Sequence, residues 1–298
     1  MDGGGAMKPR PQRHLPSSLR DAEVTPPALT PTTPEQLHVM STNIRCDRSV
    51  DGGTRPGDPD HWPERRPLLI ELLARERPDL LGVQEALQGQ LSALDEALPG
   101  HRRLGFGREG GSRGEHAVIL YDPERFEVIA WDQFWLSDTP KVIGSVTWGH
   151  TVTRIVVRAD LRDRITGREL TLLNTHLDHE SETARQRAAQ LLADLVANNS
   201  RPTILTGDFN AAARASRAYS SLVTDGPMLD SWDSAHERLT PAWGTFTDYL
   251  PPIADGERID WILTTPDLTA LQAAIVTAGT DVRAHSDHAA VQALLELH

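Results

Sequence analysis

From residue 37 to the end of the chain, short apolar runs alternate with longer amphipathic segments. Ten segments have the alternating or continuous apolar pattern that is typical of β-strands. They cover residues 37–44, 79–84, 115–121, 126–135, 151–161, 169–177, 203–206, 258–264, 273–278 and 288–295. Four segments predict helices, at residues 62–77, 86–98, 181–198 and near 214–223. Ser181 is the expected N-cap of the third helix, and Pro78 ends the first.

The order of these segments predicts the architecture. Many consecutive strands have no helix between them, so the sheets must be mixed rather than wholly parallel. No internal repeat and no linker are visible after residue 37. We therefore expect one α/β domain over residues 37–298, with two packed sheets flanked by helices.

Residues 1–36 differ in composition from the rest. They contain seven of the 21 prolines, a run of three glycines at residues 3–5, and no apolar periodicity. This composition predicts a disordered, proline-rich N-terminal tail.

Charge and cysteine content narrow the range of functions. The net charge is -12 and the pI is near 5.4, which disfavours a duplex DNA binder, because such proteins usually present a basic face. The single cysteine, Cys46, excludes a disulfide framework and disfavours a thiolate zinc site. No apolar run of membrane-spanning length and no signal-peptide pattern are seen, so a cytoplasmic protein is expected, by default a monomer.

Polar residues stand at the ends of the apolar strands. They are Asn43, Glu85, His176, Asp208, Asn210, Asp260, Asp287 and His288. Ligand sites in α/β sheets gather beyond the strand ends, so these side chains predict one acid-rich pocket. Oxygen ligands in such a pocket suit Mg²⁺ or Mn²⁺.

Each of these residues also has an ordinary structural interpretation. Glu85 has the position of a carboxylate that stabilises a helix N-terminus, and the segment 207–210 has the composition of a turn. His288 could be a hydrogen-bonded core histidine, whereas a carboxylate at Asp260, inside an apolar strand, requires a partner. Ser286 beside Asp287 and His288 suggests a serine hydrolase, but adjacent residues do not form a catalytic relay and no nucleophile elbow is present.

Taken in order, the segments resemble the motifs of the endonuclease/exonuclease/phosphatase superfamily, from about Leu37 to the C-terminus. The matching motifs are Asn43, Gln84-Glu85, Asn174-Thr175-His176, Gly207-Asp208-Phe209-Asn210, Ile259-Asp260 and Ser286-Asp287-His288. The resemblance implies a deoxyribonuclease-I-like fold, in which two mixed β-sheets pack face to face with helices outside, as a four-layer sandwich.

The resemblance also implies roles. Glu85 and Asn43 would hold the metal, with Asp287 as a further candidate ligand. Asp208 would orient and deprotonate the attacking water, and Asn210 would support the phosphoryl oxygens. His176 would donate to a phosphoryl oxygen, and Asp260 would pair with His288 and favour its charged form.

Finer motifs resemble a bacterial subgroup of uncertain substrate. Arg45 lies two residues beyond Asn43 and is a candidate phosphate ligand or a salt-bridge partner. Further candidates for substrate or phosphate binding are Glu115, Trp135, Asn174 and His179, of which Trp135 also fits a packing role. A tyrosine that contacts phosphate in the abasic-site nucleases of the superfamily has no recognisable counterpart here.

The sequence therefore predicts a divalent-metal-dependent phosphoesterase acting on a small or headgroup-like phosphate monoester or diester. The alternatives are a nuclease with the same chemistry, and a non-catalytic binding module on the same fold. Substrate choice is expected to depend on the rim loops, residues 46–61, 105–114, 137–150 and 232–256.

Overall fold

The computed structural model describes residues 29–277 and 283–298. The strands are β1 (Gln36–Asn43), β2 (Leu80–Gln84), β3 (Arg102–Leu104), β4 (Ile119–Tyr121), β5 (Phe126–Trp135), β6 (Ile155–Asp163), β7 (Glu169–His176), β8 (Thr203–Asp208), β9 (Leu229–Asp230), β10 (Glu237–Arg238), β11 (Asp260–Thr264), β12 (Leu268–Val276) and β13 (Ala290–Leu297). The α-helices are α1 (Trp62–Glu76), α2 (Leu91–Ala97), α3 (Glu182–Ala197), α4 (Arg217–Tyr219) and α5 (Ser231–Ser234), and a π-helical turn (Ser220–Thr224) continues α4.

The strands form two mixed sheets. The first has seven strands in the order β10-β12-β13-β1-β2-β4-β3, and the second has six in the order β5-β6-β7-β8-β11-β9. The parallel pairs are β1 with β2 and β10 with β12 in the first sheet and β7 with β8 in the second, and the other pairs are antiparallel. The predicted α/β sandwich of two mixed sheets, with the deoxyribonuclease-I-like fold, is thereby confirmed.

Alternation along the central strands divides the core into layers. Val39 and Leu172 pack in the cluster between the sheets. Their neighbours Met40 and Leu173 point the other way, Met40 toward α1 and α2 and Leu173 toward α3. Because successive side chains of a strand alternate faces, both faces of each sheet are buried and helices cover the outside.

The inward-facing side chains of the central strands change from apolar to polar along each strand. In β1, β2, β7 and β8 the inward positions are apolar at one end of the sandwich and polar at the other. The polar positions are Ser41, Asn43, Gln84, Asn174, His176, Thr206 and Asp208, and all are buried. Buried polar groups of this number need hydrogen-bond partners, so this end of the core must be a polar network or a site.

Helix ends follow local chemistry. Ser181 caps α3, its hydroxyl accepting from the Ala184 N–H at 3.2 Å, as predicted. Helix α1 ends where Arg77 adopts a left-handed backbone with φ of 44°, immediately before Pro78.

Several predicted boundaries were wrong. The second helix begins at Leu91 rather than Ala86, because Ala86 forms a β-bridge with His116. The segment predicted as a strand over 115–121 is a strand only over Ile119–Tyr121. The short strands β3, β9 and β10, of three, two and two residues, have too little apolar pattern to be recognised.

The fourth predicted helix and strand β12 also differ from the prediction. The helix predicted near 214–223 is a short α4 and a π-helical turn, with Ser216 as N-cap. Strand β12 begins at Leu268, five residues earlier than predicted, and the predicted end at Ala278 lies outside the described residues.

Most of the predicted tail, residues 1–28, also lies outside the described residues. The described part of this segment is ordered against the domain. Leu29 is 1% exposed, and Gln36, the first residue of β1, pairs with Glu296 of β13. No helix in the described ranges is long and apolar enough to cross a membrane.

Candidate active site

Five strands bring the predicted site residues to one end of the sandwich. Asn43 ends β1 and pairs in register with Gln84, so the next residue, Glu85, leaves the sheet beside it. In the second sheet His176 pairs with Asp208, and Asp208 pairs with Asp260. Register alone therefore places acids, an amide and an imidazole from both sheets at the polar end of the core.

Asn43 joins the two sheets at the centre of this site. Its Nδ2 donates to Glu85 Oε1 at 2.8 Å and to Asp208 Oδ2 at 2.9 Å. Its Oδ1 accepts from the Arg45 N–H at 2.9 Å. The side chain thus holds the two carboxylates in place, and the metal-ligand role that the resemblance implied for Asn43 stays a prediction, because the amide oxygen keeps a second lone pair.

Three site residues have a left-handed backbone. The φ angles are 54° at Arg45, 63° at Glu85 and 47° at Asn210. Residues other than glycine adopt this conformation at a cost of roughly 1 kcal/mol or more, and such strain often accompanies functional sites. Here each turn redirects a side chain at the point where a strand has just ended.

A buried chain of charges links Asp260, His288 and Asp208. His288 Nδ1 lies 2.9 Å from Asp260 Oδ2, and His288 Nε2 lies 3.7 Å from Asp208 Oδ2. Burial by itself would lower the pKa of His288, but the carboxylates of Asp260 and Asp208 outweigh it and raise the pKa to about 10. His288 is therefore a charged donor on both nitrogens, which was the expectation for the Asp260–His288 pair.

Asp208 is the most strongly perturbed acid of the site. It is 1% exposed, and burial followed by the charge of Asp260 raises its pKa to about 7. Its Oδ1 accepts from the Asn210 N–H at 2.9 Å. A carboxylate with such a pKa can accept a proton near neutral pH.

His176 lies between Asn210 and Asp208. Its Nε2 lies 3.0 Å from Asn210 Nδ2, whose amide also donates to the Leu177 carbonyl at 3.1 Å. Burial, and then the charge of Arg154, lowers its pKa well below the usual value. His176 Nε2 also lies 3.4 Å from Asp208 Oδ2. The donation to a phosphoryl oxygen that the resemblance implied for His176 stays a prediction. Asn210 uses its amide group to fix His176.

These residues open into a cavity of about 380 Å³. Its wall includes Arg45, Glu85, Glu115, His176, His179, Asp208, Asn210, Asp287 and His288 from the predicted set. Three of the four predicted rim loops contribute to it, through Cys46, Arg108, Phe246 and Asp248. The loop 137–150 contributes no lining residue among those described.

Arg45 and Asp287 face each other across the cavity mouth. Arg45 Nε lies 3.5 Å from Asp287 Oδ2, 3.4 Å from Asp60 Oδ2, and its Nη1 lies 3.8 Å from Glu85 Oε2. Arg45 therefore forms ion pairs with three carboxylates and also lines the cavity. Asp287 is held by Arg45 and does not join the group of acids around Asp208.

Trp135 and Asn174 do not line the cavity. Trp135 is 2% exposed, packs on Ala117 and Ile155, and donates from Nε1 to the Arg108 carbonyl at 2.7 Å. It supports a rim loop from beneath, which is the packing role considered for it.

Asn174 lies between the sheets and is fully buried. Its Nδ2 donates to the carbonyls of Val83 and Val118, both at 3.0 Å, and its Oδ1 accepts from Gln84 Nε2 at 2.7 Å and Thr206 Oγ1 at 3.0 Å. Gly82 makes room for this network, because a Cβ at that position would stand 2.5 Å from Asn174 Oδ1. Asn174 holds the sheets together behind the site and does not contact the cavity.

Arg108, Arg154 and Phe246 also line the cavity, although no motif in the sequence indicated a role for them. Arg108 stands in the Gly-Phe-Gly-Arg segment, whose two glycines at residues 105 and 107 indicate a tight loop. Arg154 directly precedes β6 and carries no comparable signal. Phe246 is 51% exposed and contacts His288 with ring centroids 5.1 Å apart, a contact between distant segments.

Two compact groups of side chains offer ligand atoms for a metal ion. Ligand atoms of Glu85, His176 and Asp208 lie within 4.8 Å of one another. A second group, of Asp208, Asp260 and His288, is equally compact, but a charged histidine has no lone pair for a metal. Carboxylates with a neutral imidazole are suitable ligands for a divalent cation, so the first group is the candidate metal site.

The serine hydrolase alternative has no support in this geometry. Ser286 is fully buried, its hydroxyl donates to Asp287 Oδ1 at 3.2 Å, and it accepts from the His288 N–H at 3.2 Å. The hydroxyl is not presented to the cavity and does not contact the His288 ring.

The fold and the site define a phosphoesterase, and the comparisons with known proteins give its family. The sequence matches the model of the Endonuclease/Exonuclease/phosphatase family over residues 40–288. The chain therefore belongs to this family, as the motifs indicated.

Two solved structures are similar over most of the chain. An endonuclease/exonuclease/phosphatase from Bacteroides vulgatus is 31% identical, with a TM-score of 0.80 over 88% of this chain and 99% of that chain. A mannosyl-6-phosphatase from Bacteroides thetaiotaomicron VPI-5482 is also 31% identical, with a TM-score of 0.77 over 87% of this chain and 99% of that chain.

A curated relative is the uncharacterized protein L388 of Acanthamoeba polyphaga mimivirus. It is 28% identical over 159 residues, which are 50% of this chain and 59% of that protein. The match thus spans less than two thirds of the length of this relative.

Proposed function

We propose that this protein is a Mg²⁺- or Mn²⁺-dependent phosphoesterase that hydrolyses a phosphate monoester or diester of a small or headgroup-like alcohol. One observation carries the proposal. Glu85 and Asp208 are bridged by Asn43 at 2.8 and 2.9 Å, next to the Asp260–His288 pair, at the floor of an open cavity. The arrangement supports a cation site, a base and a charged donor around one point where a phosphorus atom can lie.

The charge of the cavity supports a divalent cation. Its lining carries five carboxylates, those of Glu85, Glu115, Asp208, Asp248 and Asp287, against the three guanidinium groups of Arg45, Arg108 and Arg154. His288 is balanced by Asp260 behind it. Carboxyl groups thus outnumber guanidinium groups by two in this lining, and a divalent ion would offset the repulsion that they exert on a phosphate. Glu85, with Asp208 and His176 in reach, would hold the ion, which would polarise a phosphoryl oxygen.

The protein residues account for the remaining steps. Asp208 takes a proton from a water molecule as the water oxygen attacks phosphorus and the bond from phosphorus to the alcohol oxygen breaks. The leaving alkoxide takes a proton from solvent, so that ester and water become alcohol and phosphate. His288, charged and fixed by Asp260, donates to a phosphoryl oxygen and offsets the charge that develops there.

The shape and charge of the site favour small substrates. The cavity volume of about 380 Å³ lies at the lower end of the range for small-molecule sites. The net charge of -12 disfavours binding of the duplex backbone. The similarity to a mannosyl-6-phosphatase makes sugar phosphates a sensible first choice among small esters.

A substrate panel tests the proposal. The purified protein is stripped of metal and assayed with Mg²⁺, Mn²⁺ or excess chelator on hexose 6-phosphates, glycerol phosphate, aryl phosphate monoesters and diesters, and single- and double-stranded DNA. We expect turnover of small esters that requires the metal. Mn²⁺ binding is measured separately by calorimetry, and it should weaken in Glu85→Gln but not in Asp194→Asn, an exposed position on α3.

Two results would contradict the proposal. Full activity in excess chelator would remove the metal from the chemistry. A higher catalytic efficiency on DNA than on every small ester, falling steeply with salt, would identify a nuclease instead.

A further inference from the structure

One end of the cavity has a composition different from the reacting centre. It is formed by Arg108, Glu115, Arg154 and His179, which we call the polar arm. A small recess of about 10 Å³, enough for a group the size of one water molecule, connects Arg108, Glu115 and Arg154 to Glu85 and His176. The polar arm therefore adjoins the reacting centre directly.

The central pair of the polar arm is rigidly held. Arg108 Nη1 donates to Glu115 Oε2 at 2.6 Å, and the Arg108 N–H donates to the Glu115 carbonyl at 2.9 Å. Trp135 fixes the Arg108 carbonyl from below at 2.7 Å. The loop also closes tightly at Gly107, where a Cβ would stand 1.9 Å from the Arg113 carbonyl oxygen. Pre-organised groups of this kind bind a ligand with little loss of conformational entropy.

Arg108 and Glu115 of the polar arm are accessible from the cavity. The side chains of Arg108 and Glu115 are 18% and 19% exposed, so both reach the cavity although they pair with each other. Nε of Arg108 and Nε of Arg154 are buried and have no hydrogen-bond partner within the described part of the chain, so these two atoms are not offered to a ligand in the cavity. Arg154 Nη2 lies 3.0 Å from His179 Nδ1, which extends the arm to the rim.

The carboxylate of Glu115 determines which kind of substrate group the polar arm can bind. A second phosphate or carboxylate on the substrate would meet Arg108 and Arg154, but also the carboxylates of Glu115 and Glu85. A hydroxyl group can donate to a carboxylate and accept from a guanidinium at once, and two neighbouring hydroxyls match the spacing of a planar ion pair. An uncharged, hydroxylated group is therefore the better ligand.

We infer that the polar arm binds the alcohol part of the substrate, and that this part is a polyol or sugar whose neighbouring hydroxyls pair with Glu115 and Arg108. This inference rests on the proposed phosphoesterase function and names the class of ester that the site takes. Arg108 and Glu115 are then specificity-determining residues, since a site built to hydrogen-bond hydroxyls discriminates against analogues that lack them.

The test compares two monoesters that share the phosphate and differ in hydroxyls, a hexose 6-phosphate and p-nitrophenyl phosphate, with metal present. The quantity measured is the ratio of kcat/KM for the hexose ester to kcat/KM for the aryl ester. In Glu115→Gln and in Arg108→Gln this ratio should fall by about 10- to 100-fold, the scale of one or two hydrogen bonds to charged groups. The matched control pair is Arg162–Glu169, an exposed ion pair of 2.8 Å on β6 and β7, and Glu169→Gln should leave the ratio unchanged.

Three outcomes separate the possibilities. An unchanged ratio in Glu115→Gln and Arg108→Gln, with both esters equally affected, overturns the inference and leaves the phosphoesterase proposal in place. A wild-type preference for a hexose 1,6-bisphosphate over the 6-phosphate also overturns it, because the arm would then bind a second anion. Failure of every phosphate ester to react with any divalent metal defeats the proposed function itself.

Discussion

The hydrogen bonds of Asn174 predict a large loss of stability when this side chain is removed. In Asn174→Ala the protein loses four buried hydrogen bonds, to Val83, Val118, Gln84 and Thr206. At a net contribution of about 1 kcal/mol each, the free energy of unfolding should fall by about 4 kcal/mol. For a domain of this size such a change corresponds to a melting temperature lower by roughly 8–16 °C.

The assay is urea unfolding at neutral pH, followed by intrinsic fluorescence. The matched control is Asn198→Ala, because Asn198 makes one exposed hydrogen bond, from Nδ2 to the Asp194 carbonyl at 2.8 Å. Its effect should stay within about 0.5 kcal/mol. Since Asn174 also sets the distance between the sheets that carry Glu85 and Asp208, calorimetry should show weaker Mn²⁺ binding in Asn174→Ala. A loss of stability below about 1 kcal/mol would refute the claim that this network holds the two sheets together.

Four other outcomes are expected. Asp208→Asn should reduce kcat by roughly 100-fold or more while the circular dichroism spectrum stays unchanged, since a positioned base is lost without a change of shape; retention of most activity would show that another group activates the water. Asp260→Asn and His288→Ala should each be severe, and the double variant little worse than either, because the two side chains act as a pair; additive losses would contradict this. Burial, and then the charge of Arg65, lowers the pKa of His285 to about 3, so the unfolded state binds the proton more tightly than the folded state. The stability that neutral His285 contributes is therefore complete above about pH 6.5, and the free energy of unfolding falls by at most ~1.4 kcal/mol per pH unit as the pH drops toward 3. His285→Gln should flatten this pH dependence in urea titrations between pH 7 and pH 5. Leu29→Ala should lower stability by about 2 kcal/mol, since the side chain is 1% exposed, whereas a thermal shift of zero would place this residue in the dispensable tail.

The sequence was sufficient for the architecture where the pattern is strong. Strand β5 has the predicted bounds, Phe126–Trp135, and β7 differs by one residue. These strands are long and rich in apolar and β-branched or aromatic residues, which favours a strand over a helix. The short strands β9 and β10 could not be found, since two residues form a strand only because a neighbour offers them hydrogen bonds.

The sequence also indicated where the chemistry lies. Asn43, Asp208 and His176 stand at strand ends, and parallel pairing of β1 with β2 and of β7 with β8 brings those ends together. A buried carboxylate at Asp260 required a partner, and the structure supplies it as His288 at 2.9 Å. These inferences needed only the two-residue period of a strand and the cost of burying charge.

Only the tertiary structure decided what each polar side chain contacts. Asn43, Asn174 and Asn210 are equivalent in sequence, as amides at strand ends, yet Asn43 bridges two carboxylates, Asn174 holds the sheets and Asn210 fixes His176. Hydrogen-bond partners depend on atoms brought together from distant segments, and a period along one strand carries no information about them.

The same reason explains the residues that the sequence did not assign. Arg108 lies on a loop and Arg154 at the start of β6, 46 positions apart by their numbers, and they meet only because the two sheets close around one cavity. Along the chain neither arginine stands in a pattern that indicates a shared site. The pattern of apolar and polar residues determined the layers and the end of the sandwich that carries the site, whereas packing of the loops over that end determined the shape, the charge balance and the polar arm of the cavity.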